Sequence, residues 1–400
     1  LWLPSGVTYC TGQLTYTGSN LTITGAAGYK SSLSLTYTSG PAFLVGATAS
    51  LTQVVTVMGI RLVGVPSQIF FHQRYHRGFA VVDCLTSTMS TLIKVGDSGA
   101  SGTAYKTTII GGEHSPYLTR YVITAGSGTF TVSETVTSGG GFSAKVRSVS
   151  GSTVILYSVS AAAPSGTITG GSSGATATSY TFTRGSHYVD LHYSAGAVFI
   201  RRVLCEGQYD GAINGLETSN NTYSPCDQIE ITDSYWGRFN RNYNAVDVRN
   251  GNVSIYNNRL DEAVEWAIHM EVTSSTAKAI SAVGFSATII GNVIGSGLLP
   301  GRGVNMVNAR STAGQDSGDM TIMDLRGQGV SGPLVRFKTT GGGVIRNSTA
   351  INCDSKSHVA GTNAYETDVA NATDLPGCYL DNLFAFTAGA GDLNIMRITT

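Results

Sequence analysis

The chain has few charges. Asp, Glu, Lys and Arg make up 12% of its 400 residues, about half the share of an ordinary soluble domain. The 25 basic and 25 acidic residues cancel, which excludes a global field that would draw in nucleic acid or an anionic membrane. No apolar run reaches the roughly 18 residues a membrane span needs, and no secretory signal is visible. Proline is scarce at 9 residues. Walker loops, dinucleotide fingerprints, nucleophile elbows and HExxH are all missing. Asp316 and Asp319 are too sparse for a calcium loop. The glycine runs Gly139-Gly140-Gly141 and Gly341-Gly342-Gly343 open no helical pattern, so they are not expected to cradle phosphate. Neither a cofactor nor a metal is therefore expected. The six cysteines, at 10, 84, 205, 226, 353 and 378, form no CxxC and no Cys/His metal spacing. They read as buried free thiols. Cys353 and Cys378 lie about one repeat apart, so stacking or bridging stays open, and a disulfide would require an oxidising compartment.

What is abundant is glycine, at 50 residues, with Ser, Thr and Val throughout. That composition favours short strands and tight turns over helices. Six segments share one pattern: Val198-Phe199-Ile200, Ile229-Glu230-Ile231, Val253-Ser254-Ile255, Ala287-Thr288-Ile289, Met320-Thr321-Ile322 and Gly343-Val344-Ile345. Their isoleucines are 31, 24, 34, 33 and 23 residues apart. The short intervals approximate a bare coil and the long ones carry loop insertions. A polar residue recurs two or three positions later: Asp233, Asn257 and Asn258, Asn292, Asp324, Asn347. Asn tolerates left-handed backbone and can stack into hydrogen-bonded ladders.

A second strand follows each turn: Ala245-Val246-Asp247-Val248, Ala267-Ile268-His269-Met270, Gly303-Val304-Asn305-Met306 and Leu334-Val335-Arg336-Phe337. Alternate residues are apolar, so one side of each strand faces inward. A unit this small cannot bury that side alone, whereas a stack of units can. The fold class is therefore all-β, a right-handed single-stranded parallel β-helix. Leu260, Ala263, Val264, Ala267, Ile268 and Glu271 also follow helical spacing. The coil reading is preferred there because Val253-Ser254-Ile255 precedes them in register, and a short helix in the connection stays open.

The opening supports the same class. Leu3-Pro4-Ser5-Gly6-Val7-Thr8-Tyr9, followed by Asn20-Leu21-Thr22-Ile23-Thr24-Gly25, resembles the "LPxGxY" start of the pectate-lyase-like β-helix superfamily. Val57-Met58-Gly59-Ile60-Arg61-Leu62 and Leu92-Ile93-Lys94-Val95 look like further coils. The resemblance covers most of 1–123 and 184–400. Residues 124–183 differ. Gly128-Thr129-Phe130-Thr131-Val132-Ser133-Glu134-Thr135-Val136 and Ser173-Gly174-Ala175-Thr176-Ala177 resemble a small β-module of phage structural proteins, "GxFxxGExVxG…SGAxAxV". Ser133 replaces its Gly, and the second half lacks the Phe and Glu. This segment reads as a small β-domain inserted into a loop of the helix, with a long Gly-rich hairpin as the alternative.

Candidate chemistry concentrates in residues 200–275, which combine acidic residues with Tyr and Trp as glycan-processing surfaces do. In register, the outward residues of the second strands form a column, Asn214, Asp247, His269, Asn305 and Arg336. A second column holds Arg249, Glu271, Val307 and Lys338. With coils about 4.8 Å apart, Asp247 and Glu271 stand on the order of 8 Å apart diagonally at the backbone. That is near the separation at which one carboxyl acts as acid and the other as base on an intervening water. Asp247 beside His269 also makes an acid–base dyad, the carboxylate raising the imidazole pKa. The catalytic candidates are thus Asp247, Glu271 and His269. A plainer reading makes these columns a solvated sheet with charges paired across coils, and this fits Arg336 and Lys338 better. A second-choice catalytic set is Glu206, Asp210, Asp261, Glu262 and Glu265. Substrate-binding candidates are Trp236, Trp266, Tyr235, Tyr209, Arg249, Arg241, Asn214 and Asn305. His72, Arg74, His76 and Arg77, beside Phe70, Phe71 and Tyr75, read as a solvated loop face.

The resemblance implies a phage tailspike that binds and cleaves a bacterial surface polysaccharide, by hydrolysis ahead of β-elimination. His269 keeps a lyase open. It also implies a homotrimer in the virion tail, outside the cell, joined to other tail proteins through a part expected upstream of Leu1. Nucleic acid and membrane insertion are not expected. Two alternatives stand: a receptor-binding or structural spike without activity, and a secreted bacterial polysaccharide lyase or hydrolase.

Overall fold

The computed structural model describes residues 1–46, 52–65, 68–74, 76–96, 104–115, 120–157, 159–160, 163–183, 187–191, 195–206, 211–215, 228–237, 246–249, 252–261, 266–272, 287–295, 302–308, 320–329, 334–338, 343–351, 363–368, 378–386 and 394–399. For some strand residues, Asp247, His269 and Glu271 among them, the description is of the backbone. Among these residues all regular structure is strand. Three parallel sheets of twelve strands run the length of the chain, each coil giving one strand to each sheet. This is the parallel β-helix expected from the isoleucine repeat.

The first sheet carries that repeat. Ile200, Ile231, Ile255, Ile289, Ile322 and Ile345 pair in direct succession. The column extends back through Ile109, Val81 and Val57 to Ile23. All of them are at most 2% exposed, and each buried Ile or Val contributes roughly 1.5–3 kcal/mol. Within 258–272 the described residues form the strands Arg259–Asp261 and Trp266–Val272, where packing on neighbouring coils overrides the helical spacing; Ala263 and Val264, where a short helix stayed open, lie outside the described residues.

The polar residues after each isoleucine divide into two columns with different duties. Asp233, Asn257, Asp324, Asn347 and Asn382 all have φ between 52° and 55°. They turn the chain out of the first sheet through the left-handed region that short polar residues tolerate. The next residue points inside. Asn258 donates from Nδ2 to the carbonyls of Ile231 and Tyr256, both at 2.9 Å. Asn292 repeats this one coil on, to Ile255 at 2.8 Å and Ile290 at 3.2 Å. Asn292 Oδ1 accepts from the Asn258 backbone N–H at 2.9 Å, and Asn258 Oδ1 accepts from Ser234 N–H at 3.0 Å. The ladder thus locks three coils in register.

A short strand follows, forming the second sheet, with five residues in the first two coils (Gly6–Cys10 and Ser31–Leu35) and three in the later ones. It is a face the sequence pattern did not resolve, because three residues are too few to display a period. Its central residue points inward: Leu62, Thr86, His114, Cys205, Trp236, Leu260 and Ile294 succeed one another. His114 is fully buried, and burial lowers its pKa to about 4. It is therefore a neutral ring, held by the Thr86 hydroxyl at 2.9 Å and packed on Tyr188 at 4.8 Å between centroids.

The third sheet takes its interior from Phe43, Phe71, Ile93 and Val189. Phe70 and Phe71 are fully buried, and their centroids lie 4.8 Å apart. His72 is 8% exposed, with Nε2 2.7 Å from the Gly96 carbonyl. Of the expected solvated loop face, His72 belongs instead to a strand, Ile69–Gln73, whose aromatic rings build the core, whereas Arg77 is exposed. Cys84 and Cys205 are buried free thiols and Cys10 is a half-buried one. Burial pushes the Cys84 thiol up to about 11. Cys226 and Cys353 lie outside the described residues.

Between the second and third strands of one coil, a closed barrel of six antiparallel strands is interposed, from Arg120–Ser127 to Thr176–Thr183. Its first strand begins at Arg120, ahead of the boundary at 124, because Arg120 pairs Thr183. It has its own core, including Phe130, Val136, Phe142, Val146, Val154 and Leu156. Ser133 has φ of 72°, a conformation that costs a non-glycine residue about 1–2 kcal/mol.

Next to it, Glu134 is 8% exposed. It accepts from the N–H groups of Thr131 at 2.6 Å, Ser172 at 3.1 Å and Ser173 at 3.0 Å. The Ser172 and Ser173 hydroxyls donate as well, at 3.1 Å and 2.8 Å. Burial pushes the carboxyl up, but these donors outweigh it and bring the pKa down to about 2. A depressed carboxylate stabilises the fold above its ordinary value of about 4.5 and loses that contribution as pH falls towards about 2. The barrel is therefore expected to lose about 1–2 kcal/mol across that window, screening at its surface included. Amide exchange of residues 120–183 against pH checks this. Glu134→Gln is expected to remove the dependence and lower stability at neutral pH by about 2 kcal/mol.

Candidate functional site

Because the asparagine ladder and the isoleucine column fix the coils, residues distant in sequence become neighbours on the third sheet. There Asn214 pairs Asp247, Asp247 pairs His269, His269 pairs Asn305 and Asn305 pairs Arg336. One position to the side of the next interior residue, Arg249 pairs Glu271, Glu271 pairs Val307 and Val307 pairs Lys338. These positions alternate along the strands with the fully buried Ile268, Val304 and Val335. Asp247 and Glu271 occupy adjacent coils on neighbouring columns, the diagonal of on the order of 8 Å derived from strand geometry.

The same register reaches residues that the sequence reading did not connect with the site. Before Asn214 the column holds Lys94 and Asp190. After Arg336 it holds Glu366 and Arg397, and Lys338 is followed by Asp368. The alternation in Ile93-Lys94-Val95 and in Val189-Asp190-Leu191 carried this signal. The 60-odd residues of the barrel between them hid the adjacency. Along the column acids and bases succeed one another, with Asn214 and Asn305 as neutral spacers on either side of Asp247 and His269.

Of the second-choice residues, Glu206 and Asp261 belong to a different face. Asp261 lies in the second sheet, where it binds Arg259 Nε at 2.7 Å. Its side chain is 17% exposed, and its Oδ1 lies so close over Gly295 that a Cβ there would collide. The hydrogen bond and charge of Asp261 raise the Arg259 pKa above its ordinary value. Asp261 is thus engaged by its own strand. Glu206 ends the strand Leu204–Glu206 and pairs Gly237 in the backbone. Asp210, Glu262, Glu265, Tyr209 and Arg241 lie outside the described residues.

The aromatic candidates separate by face. Trp236 is fully buried, its ring 5.6 Å from that of Tyr188. Its expected place on a glycan-binding surface is corrected: as the middle residue of the three-residue strand Tyr235–Gly237, it points into the core. Tyr235, one residue earlier, faces out and is half-buried, pairing Arg259 on the next coil. Trp266 pairs Arg302 in the backbone of the third sheet. Among the described residues no group of three or more His, Cys, Asp and Glu is placed to hold a metal ion.

No family model matches the chain, and no curated protein matches it. Among solved structures it is similar to the catalytic unit of a thermostable GH87 α-1,3-glucanase from Streptomyces thermodiastaticus strain HF3-3. The TM-score is 0.41 and the identity 9%, over 100% of this chain and 62% of the glucanase.

Proposed function

We propose that the protein binds a bacterial surface polysaccharide along its third sheet and cleaves it by hydrolysis, with Asp247 and Glu271 as the acid–base pair. The observation that carries this reading is the backbone register, which places Asp247, His269 and Glu271 on two adjacent coils and two neighbouring columns. With the two backbones on the order of 8 Å apart diagonally, carboxyls extending side by side from the sheet keep a separation at which a water fits between one of them and the scissile bond held by the other. His269, directly across from Asp247, positions its carboxyl or takes a proton itself. A linear polymer laid along the coil axis then meets Asn214 and Asn305 as hydrogen-bonding neighbours on either side. In this reading the protein is a tailspike-type, homotrimeric component of a virion tail.

A second reading has a specific observation behind it. Arg249 faces Glu271, Arg336 faces Glu366, and Lys338 faces Asp368 across adjacent coils. Opposite charges at directly paired positions stabilise a sheet by a few tenths to about 1 kcal/mol each. A sheet of paired charges suits adhesion without cleavage.

The test is incubation of the purified chain with a panel of bacterial surface polysaccharides, following reducing ends and bound polymer separately. Hydrolysis predicts saturated reducing ends without an unsaturated chromophore. A product absorbing as an unsaturated uronide would transfer the site to β-elimination. Polymer retained with no new ends selects the adhesive reading, and neither signal removes both.

A further inference from the structure

The outer face of the first sheet carries a cluster that the proposed function does not use. Phe199 pairs Thr108 on one coil and Glu230 on the next. Lys106 pairs Ala197, two residues before Phe199, and Arg201 lies two residues after it. The Lys106 ammonium and the Arg201 guanidinium each lie 5.4 Å from the Phe199 ring centroid. At that distance both are attracted to the ring quadrupole. Glu230 binds Arg201 at 2.8 Å, with the Arg side chain 47% exposed and the Glu side chain 19% exposed. Lys106 is exposed as well. One carboxylate against two cations leaves the cluster net positive on a chain with no net charge.

The floor around the ring is low. Ala80 and Thr108 precede Phe199 in its column, and Ser254 and Thr288 follow Glu230. Small side chains thus flank Phe199 and Glu230 at both ends of this column, and the line of the column, parallel to the coil axis, is the path a ligand would take. A ligand following that path crosses the ring with Lys106 on one side and Arg201 on the other. The ring holds both long side chains in place beforehand, which removes part of the rotamer entropy that surface cations lose on binding. Guanidinium matches the planar carboxylate fork, and an aromatic face accommodates the C–H face of a sugar ring.

We propose that Lys106, Phe199 and Arg201 form a non-catalytic binding site for the carboxylate-bearing sugar of an acidic polysaccharide. The site is on a different sheet from Asp247 and Glu271 and stands whether or not those residues cleave anything.

The test is isothermal titration of the whole chain with tetragalacturonate and, in parallel, with the neutral maltotetraose. The acidic oligomer is expected to bind with a dissociation constant below about 1 mM, weakening as salt rises. The Lys106→Ala/Arg201→Ala double variant is expected to weaken it at least tenfold, with Phe199→Ala intermediate and melting temperatures unchanged. Asp247→Asn/Glu271→Gln serves to separate the two sheets and is expected to leave this affinity unchanged. Equal affinity in the Lys106/Arg201 double variant, equal binding of maltotetraose, or no binding by wild type would overturn the proposal. So would full competition by inorganic phosphate at the same concentration, which would reduce the cluster to a general anion contact.

Discussion

Asp247→Asn is expected to lower the rate of reducing-end release by about 10³-fold while leaving bound polymer within a few-fold of wild type. The amide keeps the shape of the carboxyl but neither gives nor takes a proton, and a positioned acid or base is worth roughly 10²–10⁴ in rate. Glu271→Gln is expected to match it, because each member of an acid–base pair is useless without the other. Their combination should then cost little more than either alone, since residues acting as a unit are not additive. His269→Asn separates the two duties open to the imidazole. If it only positions Asp247, the loss stays near tenfold and the pH profile keeps its shape. If it carries the proton, the limb of the profile due to histidine disappears. Unchanged rates in both carboxylate variants, on a polymer that wild type cleaves, would remove this site and leave the protein's cleavage elsewhere.

The second large effect falls on the fold. Asn292→Ala is expected to destabilise the protein by about 4 kcal/mol, read from the midpoint of urea unfolding. Asn292 is fully buried. Its Oδ1 is the acceptor for Asn258 N–H at 2.9 Å, and its Nδ2 donates to the carbonyls of Ile255 and Ile290. Truncation strands the interior Asn258 N–H, costing about 1–3 kcal/mol when left dry, and takes a side-chain donor from two carbonyls at about 0.5–1.5 kcal/mol each, although that of Ile290 still accepts from the Asn257 N–H at 3.0 Å. In a solenoid each repeat is stabilised by its neighbours, so the damage should centre on the coils of Ile255 and Ile289. Asn257→Gly, one residue before Asn258, is the internal control. Asn257 sits at φ of 54°, and glycine adopts that backbone freely. A change of less than about 1 kcal/mol is expected there. Similar losses in the two variants would mean that the ladder is not what holds the register.

Much of this protein was legible because burial in a β-helix imposes a rule on every coil. Val253-Ser254-Ile255 and Met320-Thr321-Ile322 show the same apolar–polar–apolar alternation, since one side of each strand must leave water. From that alone, Asp247, His269 and Asn305 were assigned to consecutive coils, and Glu271 to the neighbouring column. The pattern failed where strands were too short to have one. The three-residue strand Tyr235–Gly237 carries no period, so nothing local separates Trp236, which is core, from the aromatics of the surface. Phe70 and Phe71 escape the pattern for a related reason. Their strand interrupts alternation with two consecutive buried rings, and basic residues follow.

The sequence by itself determined which residues must be dry, and hence the parallel stacking and the vertical order of the coils. Hydrophobic burial is a one-dimensional constraint along each strand, readable without coordinates. The tertiary structure alone decided how many faces the stack has, which of two adjacent asparagines turns the chain and which bonds inside it, and that Lys94 and Asp190 are neighbours although the barrel separates them. Those outcomes depend on where a backbone bends and on contacts between residues far apart in the chain, and no local spacing encodes either.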